Sequence, residues 1–142
     1  MKKLSTVNWQ EMDPTCECFE YLDHETGESG PLFPQRWAQE LLAIDLKESV
    51  PANIRRLFDV ARASMLYGYY YYPLFKHGVN QMHFVAEAAI SEKYRQCGGP
   101  PLTERGGFIK LLDKLNWLSI NSHINESQRI EWDWVREMRN DG

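Results

Sequence analysis

Two apolar stripes at helical spacing, separated by one proline, constrain this chain more than any other feature. Upstream of Pro73, Ile54, Phe58, Ala61, Met65 and Tyr72 fall at i, i+4, i+7, i+11 and i+18, the spacing of one continuous helix face. Ser49 is placed to cap this helix, and Pro51 sits in its first turn, where a missing N–H costs nothing. Arg55, Asp59 and Arg62 fall on the opposite face, with Asp59 spaced to pair with both arginines. Downstream, Phe75, Val79, Met82, Ala86, Ala89 and Ile90 form a second stripe over about residues 74–96, stopped by "CGGPP". Pro73 biases Tyr72 away from helical geometry. The expectation is two long antiparallel helices with Tyr72 and Pro73 as their corner.

Three further segments read as helices. From Gln35, Trp37, Leu41 and Ile44 recur at i, i+4 and i+7 behind Pro34. The stretch "GFIKLLDKL" groups Phe108, Leu111, Leu112 and Leu115, with Lys110 and Lys114 outside. Asn125 and Gln128 form an N-x-x-Q capping box, and Ile130, Trp134, Val135 and Met138 are the expected buried stripe of the helix it opens. Residues 1–34 are dense in Gly, Pro and turn-forming polar residues and read as an irregular arm. Trp9, Phe19, Tyr21 and Phe33 are placed to pin that arm to a core. No alternating strand, internal repeat or low-complexity tract stands out. The expected architecture is all-α: an irregular N-terminal arm, residues 1–34, and a helical bundle of about five helices, residues 35–142.

Composition excludes some classes. A chain of 142 residues with 43% hydrophobic and 25% charged residues is ordinary globular material, long enough for its own core. A net charge of −4 excludes bulk electrostatic coating of nucleic acid, though not a local basic site. The start "MKKLSTVNW" lacks the apolar stretch of a signal peptide, and no run reaches the roughly 18 apolar residues of a membrane span. A cytoplasmic chain without membrane contact is expected. Cys16, Cys18 and Cys97 cannot all pair within one chain. Cys16, Cys18 and His24 give C-x-C-x5-H with no fourth ligand close in sequence, so free thiols, no metal and no cofactor are expected.

Two stretches carry a resemblance: "YPLFKHGVNQMHFVAEAAISEKYRQCG" and "FIKLLDKLNWLSINSHINESQRIEWDWVREMRN". In order and spacing they resemble the HEPN (higher eukaryotes and prokaryotes nucleotide-binding) domain. The first is similar to its long helix with a glutamate amid small residues. The second is similar to its short helix, loop and final helix ending in Arg-Asn. Active members read Arg-Asn-x-x-x-His and pair so that both motifs line one cleft. The resemblance implies RNA binding or metal-independent RNA cleavage, with Arg139 as the motif arginine and Asn140 as its polar neighbour. A histidine moves the 2′-hydroxyl or leaving-group proton, and an arginine fork stabilises charge on the phosphorane oxygens. Here the motif histidine would fall at position 144, beyond Gly142. His123 precedes Arg139 by sixteen residues, about 24 Å if the segment were helical. As read, the chain is not a competent ribonuclease.

Asn80, His83 and Glu87 share one face of the long helix, with His83 and Glu87 spaced for an i, i+4 hydrogen bond. Functionally this is a polar patch in which Glu87 assists the arginine; structurally it is a solvated face. Arg136, Arg139 and His83 are the candidate RNA contacts. The run "YGYYYYPLF" offers stacking surfaces for bases, but tyrosines at successive positions point in all directions, which favours packing. Arg55, Arg56 and Arg62 read as a solvated face. A homodimer built on the last helix and residues 67–72 is expected, from the family's pairing and the aromatic surplus. The alternative to an RNA role is a non-catalytic helical dimerisation or protein-interaction module.

Overall fold

The computed structural model describes residues 2–103 and 105–140, with side chains as far as Met138. Within them, five α-helices dominate: α1 (Pro34–Leu42), α2 (Ala52–Tyr67), α3 (Tyr72–Gln96), α4 (Leu111–Ile120) and α5 (Glu126–Asn140). The all-α expectation holds. The arm adds a 3-10 turn, Pro14–Cys18, and a hairpin of β1 (Glu20–Leu22) and β2 (Ser29–Pro31) that the sequence reading did not contain. Its strands are antiparallel, with Tyr21 opposite Gly30. Among the described residues no helix is long and apolar enough to cross a membrane. The chain divides into two compact units, Met1–Met82 and His83–Gly142, the division falling inside α3.

In the first unit the arm is fastened by buried polar groups. The Asp13 carboxylate accepts from Thr15 N at 2.9 Å and from Tyr72 N at 3.0 Å, so one side chain caps both the 3-10 turn and α3. The Asp13 amide donates to Tyr69 O at 2.9 Å. The buried Lys2 ammonium donates to the carbonyls of Glu11 and Tyr70. The Trp37 indole donates to Leu66 O at 3.0 Å and Met65 O at 3.2 Å, occupying carbonyls near the end of α2. Phe19, Tyr69 and Phe75 ring it at centroid distances of 6.2, 6.1 and 5.2 Å.

The corner between α2 and α3 lies at residues 68–71, earlier than the expected Tyr72 and Pro73. Pro73 starts the second helix instead of ending the first, because a first-turn residue needs no N–H partner. Pro51 itself is the N-cap of α2 and Ser49 does not cap it, which corrects that reading. Asp59 holds Arg62 at 2.9 Å, while Arg55 turns to Val50 O at 3.0 Å. Ile44 lies beyond the end of α1 and is exposed, so it leaves the stripe of Trp37 and Leu41.

After the corner the chain doubles back, and α3 crosses α2 at Gly78. A Cβ there would lie 2.7 Å from Ala61 O, 2.8 Å from Met65 N and 2.5 Å from Met65 Cγ. Two of those atoms are backbone and cannot rotate away. Gly78→Ala is therefore expected to destabilise by about 1–3 kcal/mol despite alanine's better helix propensity. A thermal melt that rises on this substitution would disprove the close crossing.

In the second unit Ile90, Tyr94, Leu115, Leu118 and Ile124 form the core, with Trp117 and Trp132 packed against it. The end of α4 is a Schellman turn: His123 N donates to Leu118 O at 2.8 Å and Ser122 N to Ser119 O at 3.0 Å. Ser122 takes the left-handed position at φ 59°. The Asn125–Gln128 box forms as expected, each side chain accepting the other's amide at 2.8 and 3.0 Å. Two other expectations fail. Phe108 precedes α4 and is 93% exposed. On α5, Ile130, Trp134 and Met138 are 63%, 66% and 53% exposed. The helix instead turns Trp132 inward, with Val135 and the aliphatic stems of Arg129 and Arg136 half-buried.

Candidate functional site

Three of the five candidate site residues come together in the second unit. His83 and Glu87 from α3 and Arg136 from α5 line one narrow cleft, floored by Ile90, Leu115 and Trp132. Their convergence follows from helix spacing: His83 and Glu87 are one turn apart, and Arg136 lies one turn beyond the inward Trp132. The enclosed space is about 10 Å³, room for one water and too little for a nucleotide base. Arg139 and Asn140 are the last two residues of α5, and their side chains lie outside the described residues.

Charge limits what the cleft can hold. Arg136 Nε stands 3.5 Å from Asp133 Oδ1, and its Nη2 stands 3.7 Å from Glu137 Oε1. Asp133 also takes Arg129 Nε at 3.0 Å. These carboxylates offset part of Arg136's attraction for a phosphodiester. Both Arg136 separations exceed the usual charge-assisted hydrogen bond, so the guanidinium is steered by neighbours without being locked. His123 lies elsewhere, stacked on Trp117 at 5.4 Å, and does not line the cleft. Asn80 is exposed on α3.

The cysteines are held apart in character. Burial, with Asp13 and Cys18 nearby, pushes the Cys16 thiol up to about 11. Cys18 is exposed and its thiol faces Thr15 O at 3.0 Å. Among the described residues no three His, Cys, Asp or Glu side chains gather as a metal set. Of the arginines read as a solvated face, Arg62 reaches Ile44 O at 2.7 Å and Arg56 is exposed.

Two exposed apolar surfaces fall in the regions expected to pair, the last helix and residues 67–72. The first is the outward face of α5, where Ile130, Trp134 and Met138 stand at i, i+4 and i+8. Its signal was present as a stripe and was assigned to the core. The second is a groove of about 610 Å³ in the first unit, walled by Leu4 and Trp9 of the arm and by Tyr67, Tyr70, Tyr71 and Leu74. The aromatic run pointed to it, but its other wall comes from residues that read as irregular.

Fold and surfaces together define a helical protein with exposed apolar faces and a small, mostly apolar cleft edged by His83, Glu87 and Arg136. Comparison with known proteins finds no matching family, no matching curated protein and no matching solved structure.

Proposed function

We propose that this chain is a non-catalytic helical pairing module, in which two copies meet through the outward face of α5. The observation that carries this reading is the exposed Ile130, Trp134 and Met138 stripe, a tryptophan flanked one turn each way by large apolar residues. An antiparallel pair of such helices is self-complementary: Trp134 meets its own copy at the two-fold axis, and Ile130 meets Met138. A central tryptophan with apolar neighbours is the usual make-up of an energetic centre. The expected result is a dimer by sedimentation equilibrium at about 50 µM, with Trp134→Ala weakening association by about 30-fold or more at unchanged helicity. A monomeric parent chain, or a variant that associates as well as the parent, would overturn the proposal.

RNA contact of the HEPN-like kind is the second reading, favoured by the convergence of His83, Glu87 and Arg136 on one cleft. It requires salt-sensitive binding of a single-stranded oligonucleotide that falls on Arg136→Ala or Arg139→Ala. Binding indifferent to both substitutions removes it.

A further inference from the structure

We propose that the open edge of β1 takes up a basic, extended segment of a partner protein, which adds to the hairpin as a third strand. The hydrogen bonds of the hairpin fix which groups are open. Asp23 N donates to Glu28 O at 2.8 Å and Leu32 N to Phe19 O at 3.1 Å, and Tyr21 stands opposite Gly30. Alternation along an antiparallel ladder then turns the N–H and C=O of Glu20 and Leu22 away from β2. Among the described residues no other strand lies beside β1. On β2 the outward positions are Ser29 and Pro31, and Pro31 has no N–H to offer. One edge of the hairpin is blunted, and the other remains a template for pairing.

A cleft of about 640 Å³ runs along that open edge, within the roughly 300–1,000 Å³ of ligand sites. Glu20, Tyr21 and Leu22 line it in succession, and no residue of Ser29–Pro31 does. A pocket on a sheet face would meet alternate residues of both strands, so this one lies beside β1. Charge selects the occupant. Glu20, Asp23, Glu25 and Glu40 line the cleft against one guanidinium, that of Arg36. Arg36 is already engaged, with Glu40 at 2.9 Å and the Tyr21 ring at 5.3 Å. Glu20, Asp23 and Glu25 form no ion pair with a described residue. Such a rim repels a phosphate backbone and draws lysine or arginine. The aliphatic stems of those side chains suit Leu22, an apolar residue left 53% exposed on the edge. Strand addition supplies the affinity through the backbone, and the carboxylates supply the choice of partner.

The test is an NMR titration of the full chain with a decamer of alternating lysine and threonine, following the amide signals of Glu20 and Leu22. Saturable shifts with Kd below about 1 mM at low salt are expected, together with slowed hydrogen exchange at both amides. Glu20→Gln combined with Glu25→Gln should weaken binding about fivefold. Leu22→Pro, which removes one outward N–H and no bond to β2, should weaken it at least as much. Glu126→Gln, at the start of α5, should leave it unaltered. Unmoved amide signals, or an affinity that survives both changes on the hairpin, overturn the proposal. So does equal or tighter binding of a glutamate–threonine decamer or of a ten-nucleotide oligouridylate. Binding that leaves the two amides exchanging as in the free chain is adhesion without strand addition and overturns it too. A shift of these amides on raising the chain's own concentration assigns the edge to a second copy, with the same consequence.

Discussion

Leu118→Ala is expected to destabilise the chain by about 3–5 kcal/mol and to lower its melting temperature by roughly 10–20 °C. Leu118 is fully buried among Ile90, Tyr94, Leu115 and Ile124. Its own backbone is fixed as well, because its carbonyl receives His123 N at 2.8 Å in the turn that closes α4. A site held that way cannot collapse into the space left by the lost methyls, which places the cost toward the upper end for such truncations. Ile120, two residues on, is largely exposed, and Ile120→Ala should stay within about 0.5 kcal/mol. Urea unfolding of both variants checks the contrast. A Leu118→Ala cost below about 1 kcal/mol would mean that the core is not built as described.

Asp13→Ala should cost about 2–4 kcal/mol at neutral pH, from the loss of one charged cap that serves two helical turns. Thr15 N and Tyr72 N would both lose their acceptor in a place where water has little access. Asp13→Asn should fall between, since one amide oxygen cannot replace two carboxylate oxygens. The pH dependence follows from the carboxyl's shift. Burial works to raise its pKa, but the hydrogen bonds from the Thr15 and Tyr72 backbone and the Thr15 side chain, with the positive chain terminus, outweigh it, and the net value is lowered below 3.8. A lowered folded value stabilises the protein at any pH above the unfolded value and loses that contribution as pH falls through the folded one. The stability gap between the parent and Asp13→Ala should therefore narrow as pH drops below about 3.8. Paired urea titrations at neutral and acid pH measure it. A gap that stays constant into acid would show that the carboxylate is not the cap.

Much of the helical pattern was legible in the chain because its causes are local. The Asn125–Gln128 box needs only four residues and forms with both bonds. The two long stripes around Pro73 became α2 and α3, and α3 ends at Gln96, immediately before "CGGPP". The corner moved to residues 68–71 because a helix start tolerates proline as readily as a helix end does, and Asp13, far away in sequence, caps Tyr72. Nothing near Tyr72 in the sequence announces that partner. The candidate site was legible in part. His83 and Glu87 share a face by spacing alone, whereas Arg136 joins them only because α5 turns Trp132 inward.

That turn marks the boundary between what the sequence determined and what tertiary structure decided. Periodicity determines which residues share a helix face, so Ile130, Trp134 and Met138 stand together whatever α5 packs against. Which face is buried depends on the surface it meets. Here the core around Leu115 and Leu118 accepts Trp132, and the ion pair of Arg129 with Asp133 at 3.0 Å occupies the half-buried side of the same helix. Likewise, the tyrosine run determines that aromatic rings crowd the α2–α3 corner. The groove exists only because Lys2 and Asp13 bring Trp9 against them across some sixty residues of chain. Such long-range closures depend on burial that no local pattern encodes, and packing of this kind formed the groove and left the α5 stripe facing outward.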